Sequence, residues 1–146
     1  MAKEANTKEL LNEVLTRLTE SNIVCWVFGG WAEELRQSSE PRGHNDIDLL
    51  YPAKDFRLVD KYIKANKQFV EIKAKHFVHK RAFLVEDVVV ELLLVQPESG
   101  QHITNFHGTK LYTWPKSALD KKKIDGLFVA SAEALLDYRV NYENYH

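Results

Sequence analysis

The sequence predicts an α/β domain of the α+β kind, a mixed β-sheet flanked by helices, and three observations carry that prediction. Leu10, Leu11, Val14, Leu15 and Leu18 recur at helical spacing near the start of the chain. Two short apolar runs, Ile23 to Phe28 and Asp46 to Tyr51, read as strands and are separated by a Gly29-Gly30 turn, an amphipathic segment and a polar span. Two longer strand-like runs, His76 to Val85 and Val88 to Val95, flank Glu86-Asp87 as a hairpin would. The resulting order is αβαβαβββ(β)α.

The first helix has Asn6 or Thr7 as its cap, with Glu9 near its positive end, and Ser21-Asn22 closes it. Ile23 to Phe28 is short and apolar, as a buried strand is. Gly29-Gly30 permits a tight turn and close backbone approach. Trp31, Ala32, Leu35 and the stem of Arg36 then share one helical face, and Trp31 reads as core packing. Gln37 to Asn45 contains Pro41 and Gly43 and reads as a loop. Pro52 stops the second strand, and Phe56, Val59, Tyr62 and Ile63 give the next helix a buried stripe. Gln68 to Lys73 reads as a short strand, Gln96 to His107 as a loop, and Thr109 to Trp114 as an edge strand. Lys116 to Asp125 is a short helix or a turn. Ser131 caps a final helix with Ala132, Leu135, Leu136 and Val140 expected inward.

A chain of 146 residues, 45% hydrophobic and 28% charged, has the size and composition of one globular domain, expected to span 1–146. A net charge of -1 gives no long-range pull on nucleic acid or on an anionic membrane. No apolar stretch approaches the roughly 20 residues that span a bilayer. Met1 to Asn6 lacks the apolar core of a secretory signal. The lone Cys25 sits in an apolar run and has no internal partner, which suits a reducing cytoplasm.

The chemistry-bearing residues lie in Phe28 to Leu50 and in one later strand. Alternation along a strand turns Asp46 and Asp48 to one face, ~7 Å apart. Two such charges repel by about 3 kcal/mol at ~6 Å and an effective dielectric near 20. Glu91 stands alone as an acid in the most apolar strand, where a carboxylate needs a cation, a partner or a proton. If its strand lies beside that of Asp46 and Asp48, the three acids converge on a site for Mg²⁺. The Gly29-Gly30 turn, opening a helix, suits a phosphate. Together these support in-line attack on a phosphoryl group.

The stretch Phe28-Gly-Gly-Trp-Ala, followed by Arg42-Gly-His44-Asn-Asp46-Ile-Asp48-Leu, resembles the aminoglycoside and lincosamide nucleotidyltransferases of the DNA polymerase β superfamily. The likeness is specific over Val27 to Leu50 and extends to Glu91 as the counterpart of the third acid. It implies a minimal nucleotidyltransferase fold and transfer of a nucleoside monophosphate, usually from ATP, to a hydroxyl with release of pyrophosphate. It implies that Asp46 and Asp48 bind Mg²⁺ and that Glu91 is general base or metal ligand. It further implies that Gly29 and Gly30 face the triphosphate while Arg42 and His44 flank it. The family often has Asp where this chain has Glu34, and often Asp as the third acid.

A small-molecule acceptor, such as an aminoglycoside or lincosamide antibiotic, is the leading expectation. Glu33, Glu34, Glu40, Glu86, Asp87 and Glu98 are acids available to a cationic one. The alternatives are an antitoxin-like or protein- or RNA-modifying nucleotidyltransferase, and an inactive nucleotide-binding module. Monomer or homodimer is left open. His76 and His79 fall on opposite faces of a strand with no third ligand at zinc spacing, and Lys121 to Lys123 reads as a solvated face.

Overall fold

The computed structural model describes residues 4–145, so the first three residues of the stretch read for a signal lie outside it. The elements run α1 (Lys8–Glu20), β1 (Trp26–Phe28), α2 (Gly29–Leu35), β2 (Asp46–Pro52), α3 (Arg57–Ala65), β3 (Val70–Glu71), β4 (Lys80–Val85), β5 (Val88–Glu98), β6 (Gln101–Phe106), β7 (Lys110–Thr113) and α4 (Ala132–Asn141), with 3-10 turns at Lys73–Lys75 and Tyr142–Asn144. The strands form a mixed seven-stranded sheet whose main path is β1-β2-β5-β4-β3. β2 and β5 are parallel, and the other strand pairings are antiparallel. Among the described residues no helix is long and apolar enough to cross a membrane.

Alternation sorts the central strands onto two faces. Ile47, Leu49 and Tyr51 of β2, with Val90, Leu92 and Leu94 of β5, join the core that includes Leu11, Val14 and Leu18 of α1 and Val59 and Ile63 of α3. Leu50 and Leu93 point the other way, into a second, aromatic-rich core with Phe28, Phe106, Tyr112 and Trp114. Tyr138 of α4 packs on that cluster, stacked on Trp114 with centroids 5.5 Å apart and edge-on to Phe28. Asp46, Asp48 and Glu91 therefore share the second face, beyond the part that α4 covers.

Several boundaries differ from the sequence expectation. Gln96 to His107 is not a loop: β5 runs on to Glu98, and β6 folds back on it through Ser99-Gly100, both at positive φ. β6 and β7 form an antiparallel ribbon with β7 at its edge, and this ribbon supplies Phe106 and Tyr112 to the aromatic core. Four of the six residues of β6 are polar, which hid the strand, and one of them, Thr104, is fully buried with its hydroxyl on the Leu94 carbonyl. Only Val70–Glu71 of the stretch 68–73 pairs, and β4 begins at Lys80 rather than His76. Glu86 and Asp87 both have positive φ, the pattern of a type I′ turn made without glycine. Residues 116–125 form turns. They are anchored where the Arg36 guanidinium donates to the Val129 and Ala130 carbonyls and pairs with Asp120. Thr7 caps α1 through its hydroxyl, and Asn6 is engaged elsewhere.

The expected inward stripe of α4 is also corrected. Ala134 is buried, but Leu136 and Val140 are 64% and 73% exposed, because the helix lies over the aromatic core on its Leu135 and Tyr138 side. Phe83, fully buried and stacked on Phe69 at 5.0 Å, is central to the first core. Phe83→Ala is expected to lower the unfolding free energy by about 3–5 kcal/mol in urea titrations. Leu136→Ser and Val140→Ser are each expected to change it by less than about 0.5 kcal/mol.

Candidate active site

The antiparallel pairing of β1 with β2 sets Phe28 opposite Asp48, which brings the following glycine turn against the middle of β2. Gly29 has φ +61°, and a Cβ there would lie 2.5 Å from Oδ2 of Asp48. Only glycine lets the backbone come this close in this conformation. A Cβ on Gly30 would stand 2.9 Å from Nη2 of Arg42 and 3.0 Å from Nδ1 of His44. The turn thus touches the second acid on one side and the Arg42–His44 segment on the other.

The parallel pairing of β2 with β5 places Asp48 level with Glu91, so the three acids gather on one face. They are compensated unequally. Nζ of Lys75 and Nζ of Lys80 lie 3.0 and 3.4 Å from the same Glu91 oxygen, Oε1. Burial pushes Glu91 up, but the two lysines outweigh it and hold the carboxyl below its ordinary range. Asp48 has less help: the charge of Lys80 opposes the shift but does not offset it. Burial, then the charges of Glu91 and Asp46, push it up to about 7. Asp46 is raised in the same direction, by burial first and Glu91 second.

These residues fit a hard divalent cation. The donors are carboxylate oxygens, they repel one another, and the Gly29 backbone leaves Asp48 room that a Cβ would fill. Among the described residues no three side chains of His, Cys, Asp or Glu already sit in ligating geometry, and Glu91 is drawn to the lysines.

His44 is buried at 3% exposure, with its ring tilted against Trp31 at 4.2 Å between centroids. Its Nε2 lies 2.8 Å from Oε1 of Glu34, which also accepts the backbone N–H of Arg42 at 3.2 Å. Burial raises Glu34, but these hydrogen bonds and the two nearby charges leave it below the usual carboxylate range. His44 therefore reaches the glycine turn from beneath, while the half-exposed Arg42 reaches over it to Glu33, 3.5 Å away. Arg139 of α4 pairs with the other Glu33 oxygen.

Between this face and α4 lies an open cavity of about 690 Å³, bounded by the three acids, the glycine turn, Tyr138 and Arg139. Of the acids considered for a cationic acceptor, Glu33 lines it; Glu34, Glu40, Glu86, Asp87 and Glu98 do not, and Glu143 does.

A sequence model of the family described as aminoglycoside-2''-adenylyltransferase matches residues 10–130. The chain belongs to that family. Two curated relatives, both named 2''-aminoglycoside nucleotidyltransferase, come from Klebsiella pneumoniae and Escherichia coli. Each is 40% identical to this family member over 43 residues, 30% of its chain and 24% of theirs. The matched stretch thus spans about a quarter of the relatives' length. Two solved structures share the fold. The lincosamide antibiotic adenylyltransferase LnuA with lincomycin bound has a TM-score of 0.76 at 16% identity, over 93% of this chain and 87% of that one. ANT(2'')-Ia with adenylyl-2''-tobramycin has a TM-score of 0.66 at 19% identity, over 93% and 76%.

Sequence reasoning missed Lys75, Lys80, Arg139 and Glu143 in this adenylyltransferase-family chain and named Glu33 only as an acid for the acceptor. Lys80 was within reach: a two-residue turn at Glu86-Asp87 pairs Ala82 with Glu91, and Lys80 shares Ala82's face. Lys75 and Arg139 come from a 3-10 turn and from the last helix, and no local pattern connects them to the acids.

The raised Asp48 sets a pH dependence. Its folded pKa, about 7, lies above its ordinary value of 3.8, so the folded state holds the proton more tightly. That contribution is present below about pH 4 and is lost as pH rises through about 7. Without metal, the melting temperature of wild type is expected to fall relative to Asp48→Asn between pH 5 and 8. Stabilisation by Mg²⁺ is expected to grow over the same interval, since the cation displaces that proton. Thermal melts with and without Mg²⁺ across this range check both.

Proposed function

We propose that this chain forms one nucleotidyltransferase domain over 1–146 that moves AMP from ATP to a hydroxyl of a small cationic acceptor, an aminoglycoside-type antibiotic, and releases pyrophosphate. The observation that carries the reading is the register of β2 and β5, which gathers Asp46, Asp48 and Glu91 on one face beside a glycine turn in an open cavity. The family match and the relatives named 2''-aminoglycoside nucleotidyltransferase support the acceptor class.

In the proposed reaction the acceptor hydroxyl oxygen attacks the α-phosphorus of ATP. The bond to the oxygen bridging the α- and β-phosphates breaks, and pyrophosphate carries those electrons away. Asp46 and Asp48 hold Mg²⁺, which when bound offsets negative charge on the attacking and leaving oxygens. Lys75 and Lys80 hold one Glu91 oxygen and a hydrogen bond ties the carboxyl to Asp48; with Asp48 given over to a cation, the Glu91 carboxylate would take the proton of the acceptor hydroxyl. Gly29 and Gly30 let the triphosphate approach the backbone. The seven-residue helix behind them adds little dipole, so cationic side chains carry most of the charge balance. Arg42 sits above the turn to meet the β- and γ-phosphates, and His44 orients the loop from below. Glu33 and Glu143 add negative charge on the acceptor side, which favours amino sugars. Such a reaction belongs in the cytoplasm, where ATP is supplied.

The test is a panel of aminoglycosides and lincosamides incubated with ATP and Mg²⁺ and read by mass spectrometry for an adenylyl adduct. An adduct on an aminoglycoside with stoichiometric pyrophosphate is expected. Asp46→Asn and Asp48→Asn are each expected to abolish it while circular dichroism stays that of wild type. A nucleotide found only on protein or RNA, or ATP binding with no release across the panel, would replace this reading with one of the alternatives.

A further inference from the structure

Asn6 lies just before the capping residue of α1 and is 6% exposed, yet its side chain takes no part in the cap. Its Nδ2 donates to the carbonyl of His44 and to the carbonyl of Asp46, each at 3.1 Å. Its Oδ1 accepts the indole N–H of Trp31 at 2.9 Å. Both amide hydrogens and the oxygen are therefore in use.

The two carbonyls are two residues apart, and carbonyls at that spacing on an extended chain point to the same edge. On its other side Asp46 is paired with Val89 of β5. On this side β1 has already ended at Phe28, opposite Asp48, and the chain has turned into α2. The Asp46 end of β2 thus has no strand beside it there. One side-chain amide stands in for the missing strand edge and binds two successive edge carbonyls. Without it these groups would be left unpaired beside a packed tryptophan.

We propose that Asn6 is a positioning residue for the active site: it holds the backbone on both sides of Asn45 and so fixes the direction in which Asp46 presents its carboxylate. The role rests on the reading of Asp46 as a metal-holding acid. Outer partners that orient a ligand typically change metal affinity by 10- to 100-fold when removed. Asn6 acts through two carbonyls, never through the cation.

Three proteins decide it: wild type, Asn6→Leu, which removes all three bonds, and Trp31→Phe, which replaces the indole and its donor by a smaller aromatic ring and leaves the two carbonyl bonds. Hydrogen exchange of the backbone amides is followed over residues 44–48 and, for reference, over β4 and β5. Mn²⁺ affinity is measured by electron paramagnetic resonance well below the melting temperature. Asn6→Leu is expected to speed exchange at 44–48 at least tenfold beyond any change in the reference strands and to weaken Mn²⁺ about tenfold. Trp31→Phe is expected to leave both within about twofold of wild type. Equal acceleration everywhere with unchanged Mn²⁺ affinity would reduce Asn6 to a stability role and overturn the proposal, as would a Trp31→Phe protein that behaves like Asn6→Leu. If wild type itself takes up no Mn²⁺, the metal reading fails and so does the metal half of this one. The exchange arm still decides whether Asn6 holds the segment.

Discussion

The parallel pairing of β2 with β5 is the interaction on which the site depends. It sets Asp48 level with Glu91 and turns Asp46 to the same face. Every other part of the arrangement follows from that alignment. One face of the two strands is filled with Ile47, Leu49, Val90 and Leu92 and sealed by α1 and α3. A slip of one residue in either strand would drive an acid into that core and an aliphatic side chain into the cavity. The apolar alternation that stabilises the sheet thus enforces the position of the acids. Shape and chemistry are coupled by the two-residue period of the strand.

Charge is the second constraint. Three carboxylates on one half-buried face are unfavourable, and the protein relieves this mainly at one end. Lys75 and Lys80 engage Glu91, and Asp48 is left to hold a proton near neutrality. The third acid is satisfied by the protein itself, whereas the burial and mutual repulsion of Asp46 and Asp48 are what the proposed cation would relieve. Across the cavity Glu33 does the reverse. It holds Arg42 and Arg139, from opposite sides of the glycine turn, where an anionic donor would compete for them.

Much of this was legible in the sequence because it depends on local rules. The Asp46-x-Asp48 spacing, the Gly29-Gly30 turn and the apolar strand around Glu91 each carry their geometry in a few residues, and the structure places all of them around one cavity. β7 matches the edge strand expected over Thr109 to Trp114, whereas β6 does not read as a strand because most of its residues are polar. The burial of both strands comes from α4, far away in sequence. The inward face of α4 was misjudged for a related reason. Its leucines and valine follow helical spacing, but the cavity takes the place of part of the surface they would have covered. Asn6 was read as a capping residue because cap chemistry is local. Its actual partners lie 25, 38 and 40 residues away.

The central claim is that Asp46, Asp48 and Glu91 form one cation-binding face beside the glycine turn. A crystal structure with Mn²⁺ and a non-hydrolysable ATP analogue, with the metal located by its anomalous signal, tests this most directly. The metal is expected between the carboxylates of Asp46 and Asp48, on the side of Glu91, with the triphosphate running along Gly29 and Gly30. A nucleotide bound away from β2, or a metal that leaves Asp46 and Asp48 uncoordinated, would contradict it.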